Sequence, residues 1–313
     1  MGGGSPNILE RIEMDKTSLT VVFLTLNEEF HIGNAIDNVK DIASEIFVVD
    51  SLSVDRTVDI ALEKGAKVVQ RPFTDFGDQW NFALQKLPIQ TFWTMKMDPD
   101  ERLTDELKQQ IRNGIEHTSE LVGFEFDRVL WFMETPQPNL KGRVLRIWQT
   151  GRCRFTDVAV NEHPMVDGPV GFLPGVMQHL DSPDLAHWVD KQNMYTSREA
   201  LIRYHKEPLA ERGRLFGNGL QRRMFFKKIF YNIPGRYVLW FFYCYFIQGA
   251  WLNGRVGLCW AQMRVFAMRL IEYKWREMQI TGREVKLPRN PEKHYHSRII
   301  DSPLQKLVMG TPH

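Results

Sequence analysis

The first half of the chain alternates short apolar runs with longer stretches in which hydrophobic residues recur every three or four positions. The short runs are rich in β-branched residues, which is typical of strands buried on both faces. They predict four strands, over Leu19–Leu26, Glu45–Asp50, Ala66–Gln70 and Thr91–Met97. The longer stretches predict helices over Phe30–Val39, Gly77–Leu87 and Thr104–His117, and one more that Ser53 caps and Gly65 closes. Such alternation indicates an α/β fold with a mainly parallel sheet and right-handed crossovers.

The pattern changes after Glu120. Shorter strands joined by turns are predicted over residues 121–130, 142–149 and 168–180, and a helix follows from Asp184 to His205. The rest of the chain is helical in character and rich in aromatic residues. We therefore expect a lead-in with a tag-like glycine-rich start at residues 1–18, an α/β domain at residues 19–205, and a helical, amphipathic extension at residues 206–313.

Charge is spread unevenly along the chain. The formal net charge is +2, yet ten Lys or Arg and two Glu lie between Gly219 and Ile280, which gives that segment +8 and the remainder −6. Such asymmetry suggests two different tasks within one chain. The three cysteines are far apart and form no CxxC pair, so we expect neither a disulfide framework nor a zinc site, and a reducing cytoplasm fits best.

An acidic motif follows the fourth predicted strand. Asp98 and Asp100 are one residue apart, so their carboxylates can face one point at the end of that strand. In open α/β sheets ligands bind outside the carboxyl ends of the strands. Carboxylate oxygens suit Mg²⁺ or Mn²⁺, which can bridge a diphosphate. The alternative is an acidic turn that only precedes the helix beginning at Thr104.

Polar residues also end the other predicted strands. Thr25, Asn27 and Glu28 follow the first strand, and Asp50 ends the second. The stretch from Asp75 to Asn81, which includes Gln79, leads into the helix after the third strand. Polar residues often end strands, so each is weak evidence alone. Together they surround one edge of the sheet, where acceptors such as Asp50 and Glu28 can bind a ribose or a base.

Four motifs together resemble family-2 glycosyltransferases of the GT-A type, and most closely the bacterial lipopolysaccharide-core β-glucosyltransferases. In chain order they are T-L-N-E, V-V-D-S-x-S-x-D-R-T, F-x-x-F-G-x-Q-x-N-x-A-L and D-P-D-E-R. The resemblance is strong over residues 19–103 and resumes over residues 157–171. It implies a Rossmann-like GT-A domain that uses a nucleotide-sugar donor, with UDP the favoured nucleotide. The motifs are specific for the family but not for one sugar.

The resemblance also implies roles for individual residues. Thr25, Asn27 and Glu28 would line the nucleoside pocket, with Asp50 near the base or ribose, and Gln79 and Asn81 on the nucleotide side. Asp98 and Asp100 match the family's D-x-D motif, which binds Mn²⁺ or Mg²⁺, and Asp100 is the favoured direct ligand. Glu162 matches the carboxylate that acts as base in an inverting single displacement; the alternative is an ordinary surface Glu beside the turn-forming Pro164. The family has a His where this chain has Asn161, and His163 follows directly.

His179 is a further candidate metal ligand. It ends the predicted strand over residues 168–180. Many GT-A sites use a late histidine to complete the metal shell or to contact the phosphates. A single His at a strand end is also common as a purely structural residue, so both interpretations stay open.

The C-terminal extension has the composition of a membrane-surface segment. Residues 237–254 contain no charged residue and many aromatics, and Leu220–Phe230 interleaves cations with large apolar residues. Aromatics beside Lys and Arg suit the headgroup boundary of an anionic membrane. We expect peripheral or monotopic binding at the cytoplasmic face of the inner membrane, with a lipopolysaccharide-core or polyprenyl-linked acceptor. The alternative is a packed helical appendage, and the acidic remainder argues against nucleic acid as a partner.

Two other functions would leave different signatures in the sequence. A sugar-nucleotide pyrophosphorylase would carry a Gly-rich basic loop after the first strand, where this chain has Asn27-Glu28-Glu29. A catalytically degenerate GT-A domain that only binds nucleotide sugars at the membrane is the non-enzyme alternative. The presence of both Asp98 and Asp100 argues against it.

Overall fold

The computed structural model describes residues 18–118, 120–156, 163–205, 216, 222, 229–230, 233–287, 295–300 and 302–310. By contacts the chain divides into two compact units. The first unit comprises residues 1–129, 141–180 and 290–313, and the second comprises residues 130–140 and 181–289. The sequence pattern instead predicts a single boundary after residue 205, between the α/β domain and the helical extension.

The described strands are β1 Leu19–Thr25, β2 Glu45–Asp50, β3 Lys67–Gln70, β4 Trp93–Met97, β5 Glu101–Leu103, β6 Gly123–Phe132, β7 Thr135–Gln149, β8 Cys153–Phe155, β9 Pro164–Val166 and β10 Val170–His179. The described α-helices are α1 Ile32–Val39, α2 Thr57–Glu63, α3 Phe76–Lys86, α4 Asp105–His117, α5 Leu185–His205, α6 Arg236–Phe242, α7 Gly254–Thr281, α8 Ser297–Ile300 and α9 Pro303–Met309. The predicted strands and helices of the first half all recur, with ends shifted by a few residues.

Eight strands form one sheet in the order β3-β2-β1-β4-β7-β6-β10-β5. β1 pairs in parallel with β2 and with β4, and β2 pairs in parallel with β3. β7 joins β4 antiparallel, and β5 joins β10 antiparallel. The registers place Thr25 beside Asp50 and Phe23 beside Met97, so the carboxyl ends of β1, β2 and β4 meet at one edge. The predicted mainly parallel GT-A-like, Rossmann-like fold is confirmed.

Apolar side chains pack on both faces of this sheet, as the uninterrupted strand runs predict. One core cluster joins β1 and β4 to α1 and α4, with Ile36 and Ile111 fully buried. The other joins β1 and β2 to α3, with Trp80 stacked on Phe155 at 5.4 Å between ring centroids. Each large side chain buried in this way contributes about 1.5–3 kcal/mol. The two clusters hold the strands between the helices and so position the carboxyl ends of β1, β2 and β4.

The prediction that Ser53 caps α2 was wrong. The helix begins at Thr57 with Arg56 at the N-cap position and no side-chain cap. The hydroxyl of Ser53 instead donates to Asp50 and accepts the main-chain N–H of Asn27. The hydroxyl of Ser53 is therefore used within the loop that follows β2 and its neighbour after β1, and α2 has no side-chain cap.

The second unit packs α5 against α7. Ala200, Ile271 and Met278 are buried between them. Lys274 is also buried, and its ammonium group donates to the main-chain oxygen of Asn193 and to the hydroxyls of Thr196 and Ser197. A buried charge is tolerated when it is fully hydrogen-bonded in this way.

The uncharged stretch before α7 is broken into short pieces. α6 continues into a π-helical turn at Tyr243–Ile247, and a 3₁₀ turn follows at Ala250–Asn253. Gly249 and Gly254 have φ of 77° and 57°, a region where glycine carries no Cβ penalty, and they turn the chain at both ends of the 3₁₀ piece. Among the described helices, none combines the length and apolar character needed to cross a membrane.

Candidate functional site

The acidic motif lies where β4 ends. β4 is buried throughout, and the chain turns at once, because the main-chain N–H of Glu101 donates to the oxygen of Asp98 at 3.0 Å. The side chain of Asp100 is 8% exposed, whereas that of Asp98 is 36% exposed. Arg102 ties this turn to the start of α1 by donating to the main-chain oxygens of Pro99 at 2.7 Å and His31 at 3.0 Å. The turn after β4 is therefore tied by hydrogen bonds to the residue that precedes α1.

Asp100 and His179 lie side by side. β10 pairs with β5 so that His179 stands beside Glu101, and the N–H of Leu180 donates to the main-chain oxygen of Asp100 at 2.8 Å. The Nε2 atom of His179 is 3.3 Å from Oδ2 of Asp100. Burial alone lowers the pKa of His179, but the carboxylate of Asp100 outweighs it and raises the pKa above its ordinary value. An oxygen and a nitrogen thus converge where one cation can contact both.

Asp98 has a different partner. Its Oδ2 accepts from Nη2 of Arg146 at 3.0 Å, and the same guanidinium contacts Glu101, whose side chain is fully buried. Burial by itself raises the pKa of Asp98, but Lys96 and Arg146 outweigh it, so that the pKa lies below its ordinary value. Asp98 is therefore a carboxylate held by Arg146, and Asp100 is the acid that stands beside the histidine.

Sequence reasoning missed three cations around the motif. Arg146 is buried on β7, and Arg128 on β6 reaches Glu101 at 3.3 Å. Lys96 is buried on β4, with its ammonium 4.6 Å from the ring centroid of Trp80. The available signal was a lone cation inside each of two apolar runs, W-T-M-K-M and V-L-R-I-W. Buried cations of this kind need a charged or π partner, and here the acidic motif supplies one.

Asp50 is saturated within the described part of the chain. Oδ1 accepts from the hydroxyl of Thr25 at 2.9 Å and from the hydroxyl of Ser53. Oδ2 accepts from the main-chain N–H of Ser53 at 2.9 Å and from the amide of Gln70 at 2.8 Å. A carboxylate has about four acceptor positions, so these donors use all of them. Asp50 is thus placed beneath the loops at the sheet edge and shapes them.

The loops after β1 and β2 are fastened to each other. Asn27 has φ of 55°, its N–H donates to Ser53 at 2.8 Å, and its side-chain oxygen accepts from the N–H of Val54 at 2.9 Å. The N–H of Glu28 donates to the hydroxyl of Thr57 at 2.7 Å. Asn27 is exposed and Glu28 is half-buried. Asn27 and Glu28 therefore form one surface at this edge, and Thr25, which is 3% exposed, lies buried at the end of β1.

The two predicted amides on α3 have different surroundings. Gln79 is fully buried, and its amide donates to the hydroxyl of Ser51 at 3.1 Å, which links α3 to the loop after β2. Asn81 is engaged by the main chain of Phe155, with hydrogen bonds of 3.1 Å and 2.8 Å to its oxygen and from its N–H. Gln79 is therefore part of the strand-end assembly, whereas Asn81 anchors β8.

The candidate base lies outside the described residues, which omit positions 157–162, including Asn161 and Glu162. The residues on either side are described. The N–H of His163 donates to the hydroxyl of Thr156 at 3.2 Å, and the N–H of Thr156 donates to the main-chain oxygen of His163 at 3.4 Å. The described residues on either side of that segment, Thr156 and His163, are therefore hydrogen-bonded to each other.

Comparisons with known proteins show what this chain is similar to. The family model described as Glycosyl transferase family 2 matches residues 20–156. An uncharacterized glycosyltransferase of Rickettsia typhi is 24% identical over 281 residues, covering 85% of this chain and 89% of the relative. The lipopolysaccharide core biosynthesis glycosyltransferase LpsC of Rhizobium meliloti is 26% identical over 252 residues, covering 77% and 86%.

Among solved structures, glucosyl-3-phosphoglycerate synthase from Mycobacterium tuberculosis, in complex with Mn²⁺, UDP and phosphoglyceric acid, is 16% identical with a TM-score of 0.41. The alignment covers 62% of this chain and 80% of the synthase chain. A similarity this remote supports no inference about ligands. The family match includes β1 to β4 and the acidic motif. The resemblance identified from the motifs is thereby confirmed over residues 20–156, which match the model of glycosyl transferase family 2.

Proposed function

We propose that this chain is an inverting hexosyltransferase that moves a sugar from a nucleotide-diphosphate sugar, with UDP as the nucleotide, to a glycolipid or lipid-linked glycan. The observation that carries the proposal is the acidic motif at the end of β4, inside the family domain, with His179 3.3 Å from Asp100. The lipopolysaccharide-core relative supports an acceptor of the lipopolysaccharide-core or polyprenyl-linked class.

Asp100 and His179 would hold Mn²⁺ or Mg²⁺, with Asp98 as a further ligand. The donor set fits such an ion, because carboxylate oxygens suit both metals and an imidazole nitrogen favours the transition metal Mn²⁺. To bind the ion, the carboxylate of Asp98 would have to release its ion pair with Arg146, so Asp100 would be the primary ligand. When bound, the ion neutralises the charge that develops on the departing diphosphate.

Thr25, Asn27 and Glu28 line the nucleoside pocket in this proposal. The pocket is supported from below by Asp50 and from the side by Gln79, through contacts that hold the two loops. A preorganised pocket of this kind raises affinity, because the loops need not be ordered when the donor binds.

Glu162 is the proposed base. It removes the proton of the acceptor hydroxyl while the hydroxyl oxygen attacks the anomeric carbon from the face opposite the diphosphate. The new glycosidic bond forms as the bond to the diphosphate breaks, so the configuration at that carbon inverts. Substitution Glu162→Gln should keep donor affinity but lower kcat at least about 100-fold, the range of general-base contributions. Glu116→Gln, on the exposed face of α4, is the matched control and should keep normal turnover.

The partner surface proposed for the second unit is an anionic membrane, at the cytoplasmic face of the inner membrane. Large apolar side chains stand exposed on α6 and the turns after it, with Ile247 76% and Trp251 50% exposed. No acidic residue occurs from Tyr237 to Ile271. Exposed aliphatic and aromatic residues without acids suit insertion at an anionic headgroup boundary. The basic cluster at residues 222–228 lies mostly outside the described residues.

Flotation with vesicles tests this surface. The wild type should float with vesicles rich in phosphatidylglycerol and much less with phosphatidylcholine. The double substitution Ile247→Ser and Trp251→Ser should abolish flotation. Ile280→Ser removes a side chain that is 84% exposed on α7 and should leave it unchanged. Equal flotation of all three proteins would reject the membrane surface.

A nucleotide-sugar screen by thermal shift, followed by a turnover assay, tests the function itself. A ligand that binds only the folded state raises Tm. UDP-sugars should raise it more in the presence of Mn²⁺. Binding without turnover in the presence of lipid-linked acceptors would instead indicate the degenerate binding module.

A further inference from the structure

The edge strand β3 is covered by residues 295–300 and 302–310, here called the C-terminal segment. Gln305, on α9, is 1% exposed and completes the edge with its side chain. Its Oε1 accepts from the main-chain N–H of Gln70 at 2.9 Å, and its Nε2 donates to the main-chain oxygen of Gln70 at 2.8 Å. One side chain thus supplies the pair of bonds that a neighbouring strand would make, which protects an otherwise open edge.

The C-terminal segment is also held by charge and by apolar packing. Nε2 of His296 lies 3.0 Å from Oδ1 of Asp59 on α2, and Arg298 contacts the same carboxylate. Ile299 is 1% exposed and belongs to the core cluster around β1 and β4. The segment is therefore an integral part of the first unit and not a loose end.

The side-chain amide of Gln70 connects this segment to Asp50. Its Oε1 accepts from the main-chain N–H of His296 at 2.6 Å, and its Nε2 donates to Oδ2 of Asp50 at 2.8 Å. A main-chain N–H can only donate, so the amide oxygen must face His296 and the amide nitrogen must face Asp50. The carboxylate of Asp50 can only accept, so it requires the same orientation, and the C-terminal segment and Asp50 fix the amide together.

That orientation matters for the loops. Asp50 holds Thr25 and both polar groups of Ser53, and Ser53 in turn receives the N–H of Asn27. An inverted Gln70 amide would turn its oxygen toward the carboxylate of Asp50. Two acceptors would then face each other in a fully buried place, which is unfavourable. Order in the loops after β1 and β2 thus depends on the Gln70 amide, whose oxygen is held by the N–H of His296 in the C-terminal segment.

We propose that Gln70 is a positioning residue for the nucleoside pocket, and that the C-terminal segment holds its amide in the orientation that Asp50 needs. The inference rests on the proposed function in so far as these loops bind the donor. Gln70 acts through Asp50 and not by touching the nucleotide.

Gln70→Met, which preserves the length of the side chain without its hydrogen bonds, is the direct test. In the free protein, exchange of the Ser53 and Val54 amide hydrogens should accelerate about five-fold, as expected when one buried hydrogen bond of about 1 kcal/mol is lost. KM for the nucleotide sugar should rise by about the same factor, while kcat changes less than about two-fold. Gln305→Met keeps the side-chain amide of Gln70 but removes the partner of its main-chain N–H and C=O, which loosens the C-terminal segment from β3. It should change amide exchange and KM in the same direction.

Gln149→Met is the matched control. Gln149 lies in the same sheet and donates one side-chain hydrogen bond, to the main-chain oxygen of Leu121 at 3.0 Å. It should lower stability without changing exchange at Ser53 and Val54 or KM. The proposal is overturned if Gln70→Met affects those amides no more than Gln149→Met does, or if Gln305→Met leaves them unchanged. A wild type that binds no nucleotide sugar would refute the proposed function instead, and the exchange data would still decide the positioning role.

Discussion

Replacing Arg146 by Met removes a buried cation from the acidic motif. The Arg146 side chain is 7% exposed and contacts Asp98 and Glu101, the latter fully buried. Removing one partner of a buried ion pair costs about 3–5 kcal/mol, because the remaining carboxylates stay desolvated without their attraction. Arg128 still contacts Glu101 in the variant, which favours the lower end of this range. We expect Arg146→Met to lower the free energy of unfolding by about 3 kcal/mol at pH 7.

Arg143→Met is the matched control on the same strand. The side chain of Arg143 is 54% exposed, and it contacts Glu125 at 3.3 Å. Exposed ion pairs contribute about 0–1 kcal/mol, so its loss should stay within that range. Urea denaturation followed by far-UV circular dichroism measures both variants, and the slope of each transition shows whether two-state behaviour is preserved.

The pH dependence has a definite sign. Because Lys96 and Arg146 outweigh burial, the pKa of Asp98 is lower in the folded protein than its ordinary value of 3.8. The stability that this carboxylate contributes is therefore fully present above 3.8 and is lost as the pH falls through the folded pKa. The difference in the free energy of unfolding between wild type and Arg146→Met should therefore shrink as the pH falls below 3.8. Equal losses for Arg146→Met and Arg143→Met at pH 7 would refute the reasoning.

Two further predictions concern stability. Burial raises the pKa of Glu272, but Arg236 and its other partners outweigh it and lower the pKa from 4.5 to about 2, so Glu272→Gln should cost at most about 3 kcal/mol above pH 4.5. In urea titrations, the loss of unfolding free energy should vanish as the pH falls from 4.5 toward 2. Glu277 is exposed, so Glu277→Gln should cause no such pH-dependent loss. Gly175→Ala should lower stability by at least about 1 kcal/mol, because φ is 112° and the new Cβ would lie 2.9 Å from a backbone atom of Leu107. Gly142→Ala, with open space around it, should leave Tm nearly unchanged. Calorimetric scans of both variants measure the two shifts in Tm.

Local pattern predicts the α/β order and the position of the acidic motif, because both follow from burial along single strands. Long-range pairing is invisible to such reasoning. Arg146 meets Asp98 across 48 positions, and Gln305 meets Gln70 across 235. Asn81 fitted a nucleotide-side motif, yet its amide is occupied by the main chain of Phe155, 74 positions away. What a polar side chain contacts depends on strand order and on the return of the chain end, neither of which shows as periodicity.

The C-terminal half shows the same limit in another form. An uncharged run of 18 residues from Tyr237 to Gly254 predicted interfacial helices. The structure divides that run between partly buried rings such as Phe241, which pack in the second unit, and exposed ones such as Trp251. Composition alone cannot assign each aromatic residue to one of these sets, because turns at Gly249 and Gly254 decide which way the chain faces.

Titration of Mn²⁺ and UDP tests most directly whether Asp100 holds a metal against the donor diphosphate. Isothermal calorimetry should show UDP binding to the wild type that needs Mn²⁺, and paramagnetic resonance should show the bound ion. Asp100→Asn should lose both signals, while Asp105→Asn, whose side chain is fully exposed at the start of α4, should keep them. Equal, metal-independent UDP binding by the wild type and Asp100→Asn would contradict the account.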